Sequence, residues 1–423
     1  MFRRLCFKGR KFRSLASWMV PKANYQNFVM SEALAQIEKD CERYCPVPRF
    51  PDQKVTIVGA GSDVGRVAAL FLKQQNVVKI LALYDDVPER RVLGVANDLS
   101  HIDTSTEVEA YQGRVYLKDA LDNADVVLIC GGVYVSPPCC NIPDRDLFFH
   151  NMQLVRTVSI AVAHFCPHAV LAIQTPPVDC NFSLAMHTLK MSRAYDKRRL
   201  LGVNSINAMR ANQLFCAITG SDPSGCNTPV ICGTGRCTRV PVFSAAKAGN
   251  IPQSQVDCLT RLVREADDII CKVKSNNEQG HLSIGFSTAR FVLNVMKGLF
   301  QKPTNIDSAL VEQNDPAKCY GMRVCATPVT VGKTGITEYA VPTLNGSEAK
   351  LLEDSKETDH SAQVSHKAFI TQHCSRCDLE DMLNLGRCYA VGDEYYLHPC
   401  KLSCCYELPP CPVCEPCKQK ENK

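Results

Sequence analysis

The amino-acid sequence predicts an α/β protein built on a doubly wound parallel sheet. Three short apolar runs end near glycine or aspartate and a fourth follows later: 54–59, 77–84, 125–132 and 169–173. Helical patterns at 64–75 and 150–165 alternate with these runs. Alternation of strand and helix indicates parallel strands that are joined by crossover helices.

Beyond residue 200 the pattern is that of a second, α+β domain. Long amphipathic segments at 254–275 and 287–299 precede a strand-like region around 319–331. After Leu352 the apolar periodicity stops, and a polar linker leads into a largely irregular tail rich in Cys and Pro. We therefore predict four regions: a leader and linker at 1–50, a first α/β domain at 51–200, a second domain at 201–355, and a linker with the tail at 356–423.

Composition argues against two classes of partner. The chain has 423 residues, enough for two domains, and contains no apolar run of the roughly 18 residues that a membrane span needs. Its formal net charge of +5 is mild and is not concentrated in a central basic patch. The sequence therefore predicts a protein without a membrane span that does not bind nucleic acid.

The first thirty residues carry basic charge without acidic residues. Arginine and lysine recur from Arg3 to Lys22, and the first acid is Glu32. Phe2, Leu5 and Phe12 belong to a set of apolar residues at helical spacing. This pattern is typical of a mitochondrial transit peptide, which predicts the mitochondrial matrix as the destination. The alternative is a disordered basic tail.

A glycine-rich turn follows the first predicted strand. GAGSDVG, residues 59–65, supplies Gly59 for a tight turn and Gly65 for close packing of helix on sheet, with Ala60 and Gly61 between them. About twenty residues further on, Asp85 ends the second predicted strand, where a carboxylate can accept the hydroxyl groups of an NAD ribose. The pair predicts a Rossmann domain that binds NAD.

Asp63 places a carboxylate inside this turn and allows two interpretations. As a helix N-terminal acid it would stabilise the helix by about 0.3–1 kcal/mol. Close to a pyrophosphate it would instead repel the cofactor by roughly 2–4 kcal/mol. The two effects can coexist, and they predict that NAD binding is weak or lost.

Several motifs in order resemble the mitochondrial-type malate dehydrogenases. They include YDDVPERRVLGVANDLSHIDT, DLFFHNMQLV, LLGVNSINAMRAN, TPVICG and LSIGFSTARFV, and the similarity runs from about Lys54 to about Leu352. The resemblance implies a Rossmann domain, a substrate domain, NAD as cofactor and a homodimer. It also implies that Asn151, in the second motif, helps to bind the cofactor.

The residues that the resemblance makes catalytic are altered. Malate oxidation in this family uses a histidine as general base, an aspartate that orients it, and arginines that clamp the carboxylates. Here Thr234 stands at the histidine position and Asn207 at the aspartate position, whereas Arg210 is retained as a carboxylate-binding residue. A threonine hydroxyl cannot accept a proton at neutral pH as imidazole does.

The predicted substrate loop is altered as well. VYVSPPCCNIPDRDLF is three residues longer than the family pattern, so Val135 takes the place of the first clamp arginine. The second falls on Asp144 or Arg145, depending on the gap, and Arg145 is the candidate substrate ligand. Downstream, QTPPVDC puts Pro176 where the family has a substrate-binding asparagine.

These changes predict a malate dehydrogenase-like protein without catalytic activity, retained for a structural or binding role in mitochondria. The alternative is a divergent NAD-dependent L-malate dehydrogenase in which another residue serves as base.

The cysteine-rich tail needs an explanation of its own. Nine of the 25 cysteines fall between Cys374 and Cys417. Their spacing would suit zinc, with the candidate ligands Cys374, Cys377, Cys411 and Cys414. Disulfide cross-linking within or between chains and a disordered tail with free thiols are the alternatives.

Overall fold

The computed structural model describes residues 52–134, 144–246, 251–275 and 279–356, except for the side chains of residues 145 and 146. All of them belong to one compact unit that ends at Ser361. The predicted leader, the inserted part of the substrate loop and the cysteine-rich tail lie outside the described residues. The predicted domain boundary near residue 200 stays a prediction.

Within the described ranges a single sheet contains all strands. In chain order they are β1 Lys54–Val58, β2 Ile80–Asp85, β3 Glu107–Gln112, β4 Val126–Ile129, β5 Val170–Ile173, β6 Leu200–Val203, β7 Val230–Cys232, β8 Arg239–Pro241, β9 Thr304–Glu312, β10 Val324–Gly332 and β11 Gly335–Tyr339. Their spatial order is β3-β2-β1-β4-β5-β6-β9-β10-β7-β8, with β11 paired to β10.

The first six strands form the predicted parallel sheet. β1 pairs in parallel with β2 and β4, β2 pairs with β3, and β4 continues through β5 to β6. The order 3-2-1-4-5-6 is that of a doubly wound Rossmann sheet, which confirms the predicted fold class. Strands β1, β4, β5 and β6 are buried along their whole length because helices cover both faces.

Helices connect these strands and extend into the second half of the chain. They are α1 Asp63–Lys73, α2 Val92–Ser100, α3 Leu117–Leu121, α4 Asp144–Phe165, α5 Val178–Met191, α6 Ser205–Thr219, α7 Gln253–Val273, α8 His281–Phe300 and α9, described at 346–356. In this part of the chain no helix is long and apolar enough to cross a membrane.

Antiparallel strands join the second half to the first. β6 pairs with β9 through Gly202–Leu310 and Val203–Ala309, and β9 pairs with β10. The strand-like region predicted around 319–331 is β10, while β9 was not predicted. β6 leads into α6 and β7 leads into the Thr234 turn, and the Asn207 amide nitrogen on α6 lies 3.5 Å from the Thr234 carbonyl.

Candidate cofactor and substrate sites

The glycine turn after β1 depends on close backbone contacts. Gly59 has φ +87°, and a Cβ added there would lie 2.1 Å from the Cα of Gly131, which follows β4. A Cβ at Gly65 would lie 2.3 Å from the carbonyl oxygen of Gly59. Both positions therefore require glycine, and the turn brings the carboxyl ends of β1 and β4 together.

The first turn of α1 is stabilised by its own residues. The Ser62 hydroxyl accepts a hydrogen bond from the Gly65 amide at 3.1 Å and donates one to the Gly59 carbonyl at 2.7 Å. Asp63 is 64% exposed and lies 4.0 Å from Arg66 and 3.6 Å from the His281 imidazole. This arrangement favours the interpretation of Asp63 as a helix N-terminal acid.

Asp85 at the end of β2 already has partners from its own chain. Its carboxylate accepts hydrogen bonds from the Gly61 amide at 3.0 Å and the Val87 amide at 3.1 Å, and lies 3.7 Å from the Arg90 guanidinium. Burial raises the pKa of Asp85, while Arg90 and the two amides oppose that rise. The same Arg90 side chain donates to the Gly132 carbonyl at 3.1 Å.

The described residues fit a dinucleotide, with one obstacle. The glycine turn provides the close backbone approach, and Asp85 stands where a ribose would bind. Arg90, however, extends from the end of β2 to the segment after β4, because it contacts both Asp85 and Gly132. A ribose that used Asp85 would compete with this arginine.

The Asn151 side chain makes hydrogen bonds to backbone atoms of the segments that follow β4 and β5. Its side-chain oxygen accepts from the Val133 amide at 2.7 Å, and its nitrogen donates to the carbonyls of Val133 at 2.7 Å and Pro176 at 2.6 Å. The side chain is fully buried. Its contacts hold the segments after β4 and β5 together and leave little hydrogen-bonding capacity for a cofactor.

The three positions to which the resemblance assigns catalysis and substrate binding lie on α6 and in the turn after β7. Asn207 and Arg210 lie one turn apart on α6. The Asn207 amide nitrogen donates to the Asn204 side chain at 2.6 Å and reaches the Thr234 carbonyl at 3.5 Å. Thr234, Asn207 and Arg210 are all buried.

A carboxylate that the sequence reasoning missed contacts Thr234. Asp179, in the first turn of α5, accepts hydrogen bonds from the Thr234 hydroxyl at 2.7 Å, the Thr234 amide at 3.0 Å and the Gly235 amide at 3.1 Å. Burial raises the pKa of Asp179 despite the hydrogen bonds from Thr234, and Asp144 raises it further. In the sequence, Asp179 stands three residues after Pro176 in the segment QTPPVDC, and nothing in that segment marks it as a partner of Thr234.

A second missed carboxylate contacts Arg210. Asp267 on α7 places one oxygen 2.7 Å from an Arg210 nitrogen and the other 2.8 Å from an Arg239 nitrogen. Arg239 also donates to the Thr234 carbonyl at 2.9 Å. Burial alone would raise the pKa of Asp267, but the guanidinium groups of Arg239 and Arg210 outweigh it and hold that pKa well below its usual range.

No histidine is a hydrogen-bond partner of Thr234, Asn207 or Arg210 in the part of the chain that the structure describes. His281 lies beside Asp63. Burial lowers the pKa of His187, as do Arg156 and Lys190 nearby, which places this residue in a different environment.

Two of the predicted ligand sets cannot be placed. Arg145 lies in the first turn of α4, but its side chain is outside the described residues. The candidate zinc ligands Cys374, Cys377, Cys411 and Cys414 also lie outside them. Within 52–134, 144–246, 251–275 and 279–356, no cluster of three or more His, Cys, Asp or Glu side chains could hold a metal ion.

The chain is similar to known dehydrogenases over most of its length. Residues 53–202 match the lactate/malate dehydrogenase NAD-binding domain, and residues 205–370 match the lactate/malate dehydrogenase α/β C-terminal domain. The mitochondrial malate dehydrogenase of Homo sapiens is 31% identical over 304 residues, which cover 71% of this chain and 87% of the relative. A malate dehydrogenase of Vibrio parahaemolyticus is 33% identical over 286 residues, which cover 67% of this chain and 89% of the relative.

Solved structures share the fold at lower identity. The lactate dehydrogenase of Eimeria maxima with NADH and oxamate matches with a TM-score of 0.64 and 20% identity, over 76% of this chain and 96% of that one. The malate dehydrogenase of Cryptosporidium parvum matches with a TM-score of 0.63 and 20% identity, over 74% of this chain and 99% of that one.

We expect Asp179→Asn to change the pH dependence of stability. Since burial raises the folded-state pKa of Asp179, its stabilising contribution is full below the ordinary carboxyl pKa of about 4 and is lost as pH rises through the folded value. Urea unfolding from about pH 4 to 7 should therefore show wild type losing stability relative to the variant as pH rises.

Asp196→Asn is the control for this measurement. The Arg198 side chain lowers the pKa of Asp196, so this carboxylate stabilises the folded protein above its ordinary pKa and the contribution is lost as pH falls. With the measurement extended down to about pH 2, the two variants should give slopes of opposite sign, and the slope of Asp196→Asn should be confined to pH values below about 5. A flat profile for Asp179→Asn would contradict the assignment of a raised pKa.

We expect Arg90→Gln to strengthen NADH binding. The substitution removes the cation that competes for Asp85, and a partly exposed ion pair contributes up to about 1 kcal/mol, or roughly fivefold in affinity. NADH fluorescence titration measures the change. Arg91→Gln is the matched control, because the neighbouring Arg91 side chain is exposed. Equal or weaker binding by Arg90→Gln would show that this arginine is no obstacle.

Proposed function

The chain belongs to the lactate/malate dehydrogenase family, and we propose that it is a catalytically inactive member whose fold serves a structural or binding role in mitochondria. The observation that carries the proposal is the set of partners at the catalytic positions. Thr234 is bound by Asp179, and Arg210 is paired with Asp267. Both side chains therefore already have partners from the chain itself at the positions where a substrate would bind.

Malate oxidation needs a group that takes the proton of the substrate hydroxyl as hydride leaves the adjacent carbon. The Thr234 hydroxyl has no such capacity at neutral pH, and in this chain it donates a hydrogen bond to Asp179 at 2.7 Å. Asn207 carries no charge that could stabilise an imidazolium. General-base catalysis contributes about 10²–10⁴-fold to enzymatic rates, so its loss alone is severe.

Carboxylate binding is also compromised. An arginine that clamps a substrate carboxylate needs its guanidinium available for bidentate hydrogen bonds. Arg210 is 9% exposed and its charge is already balanced by Asp267 at 2.7 Å. Free acid would have to displace an anion that belongs to the protein itself.

One observation favours the alternative, a divergent NAD-dependent L-malate dehydrogenase. Asp179 is a carboxylate next to the histidine position with a raised pKa, which is a property of general bases. Its two oxygens, however, accept hydrogen bonds from three donor atoms of Thr234 and Gly235. These bonds leave it less able to reach a substrate hydroxyl, so the inactive assignment is the better supported one.

NAD remains the cofactor that the family implies, and we propose that its binding here is weak. The competition of Arg90 for Asp85 supports this part of the proposal. The similarity to a human mitochondrial enzyme supports a mitochondrial location, and the basic leader adds the matrix as destination.

Wild-type protein should not oxidise NADH with oxaloacetate at a meaningful rate. With an ordinary turnover near 10 s⁻¹ and a loss of about 10³-fold or more, we expect less than about 10⁻² s⁻¹. A spectrophotometric assay at micromolar protein concentration, with an active malate dehydrogenase as reference, measures it.

Asp179→Asn is assayed beside the wild type. Turnover near ordinary enzyme rates in the wild type would overturn the proposal. If that turnover then disappeared in Asp179→Asn, Asp179 would be identified as the base of a divergent dehydrogenase.

A structural role is expected to involve self-association. We propose a homodimer, as the resemblance implies, with disulfide or zinc-mediated contacts through the cysteine-rich tail. Light scattering of the full chain should give the mass of two chains, and larger species should dissociate on adding a reductant or a chelator. A monomer under all of these conditions would contradict this part of the proposal.

A further inference from the structure

We propose that Asp267 is a built-in occupant of the site where a substrate carboxylate would bind, so that the protein excludes free carboxylic acids from its own pocket. The inference rests on the proposed function and deepens it. It identifies the residue that closes the substrate site, which is different from the residues that are missing from the catalytic machinery.

The contact between Asp267 and Arg210 is that of a ligand with its clamp. One Asp267 oxygen lies 2.7 Å from Arg210 Nη2, a short distance for a charge-assisted contact. Arg210 is buried on α6 and Asp267 lies on α7, so the carboxylate reaches the guanidinium from a different element of the fold. A malate carboxylate would present an oxygen to the same guanidinium that Asp267 contacts.

Arg239 holds the other oxygen of Asp267. Its Nη2 donates to Asp267 Oδ2 at 2.8 Å, its Nε donates to the Thr234 carbonyl at 2.9 Å, and its Nη1 donates to the Val263 carbonyl at 3.3 Å. All three nitrogens of the Arg239 guanidinium therefore donate hydrogen bonds, which hold this side chain in place. Two buried arginines share a single carboxylate that comes from the chain itself.

The charge balance opposes a dianionic ligand. The two guanidinium groups hold the pKa of Asp267 far below neutral pH, so it is an anion under physiological conditions. Asp179 adds a carboxyl group at Thr234, with Asp144 nearby. Asp267 balances one of the two guanidinium charges, and the groups beside Thr234 are acidic, so a dicarboxylate would meet only part of the positive charge that two free arginines would offer.

Attachment to α7 gives Asp267 an advantage over any free acid. Its carboxylate is held beside Arg210 by the fold, so it binds without the loss of translational and rotational freedom that a free ligand undergoes. Neither terminal nitrogen of the buried Arg210 makes a hydrogen bond of good geometry among the described residues, although Nη2 lies 2.7 Å from Asp267. These unused donors fit a guanidinium shaped for bidentate binding, whose charge Asp267 balances without using its donors fully.

The test compares Asp267→Ala with wild type and with Asp268→Ala. Asp268 is the matched control because it follows on the same helix and pairs with an arginine, Arg236, at 2.6 Å, without contacting Arg210. Calorimetric titration with L-malate, without cofactor, should show binding to Asp267→Ala at least tenfold tighter than to wild type or Asp268→Ala. Thermal unfolding with and without L-malate gives a second readout.

Each result decides the proposal. Equal binding of L-malate by wild type and Asp267→Ala, or no binding by a folded Asp267→Ala, would overturn it. If Asp267→Ala folds cooperatively only with L-malate present, the free acid replaces the missing carboxylate and the proposal is supported. Failure to fold in either condition would show that Asp267 is a purely structural ion-pair partner.

These outcomes are separable from those of the proposed function. Binding by Asp267→Ala is measured without NADH or turnover, so a failure here leaves the absence of a base at Thr234 unaffected. Conversely, NADH oxidation by wild-type protein would overturn the proposed function, whatever the titration of Asp267→Ala shows.

Discussion

A charge that is buried away from water has to be paired, and this protein pairs its buried charges internally where a dehydrogenase would use them on ligands. Asp85 is paired with Arg90 at the position of the cofactor ribose. Asp267 is paired with Arg210, for which the resemblance predicts a role in binding the substrate carboxylate. Both contacts lie at the carboxyl ends of the strands or on the helices that follow them, because that is where the fold collects its polar groups.

Internal pairing of these charges changes how much the site lowers the stability of the folded protein. An enzyme leaves charged groups partly unsatisfied so that they can bind substrate, and that strain reduces its stability. Here Asp179 receives the hydroxyl and amide of Thr234, and Asp267 neutralises two arginines. The Thr234 hydroxyl and the Arg210 charge thereby have partners without a ligand, although the Arg210 nitrogens and the Asn207 side-chain oxygen keep unused hydrogen-bonding capacity. Removing one partner of such a pair would leave an uncompensated charge in the interior and lower the stability of the folded protein.

Most of the parallel strands could be predicted from the sequence because the residue patterns that indicate them are local. Apolar runs of strand length mark β1, β2, β4 and β5, and the glycine turn at Gly59 is set by a positive φ that glycine adopts readily. β9 escaped prediction because TNIDSALVE mixes polar and apolar residues without strict alternation, and its pairing with β6 is long-range. α4 begins at Asp144, earlier than the predicted 150, because its first turn lies in the altered loop.

The sequence by itself determined the α/β fold class, because the strand and helix patterns are local, and its motif order predicts Thr234, Asn207 and Arg210 as the positions of the catalytic residues. Only the tertiary structure decided what those residues touch. Asp179 lies 55 positions from Thr234 in the chain, and Asp267 reaches Arg210 from another helix. Such contacts depend on how the helices pack against the sheet, and a carboxylate on a helix surface has no sequence signal that distinguishes it from a solvated one.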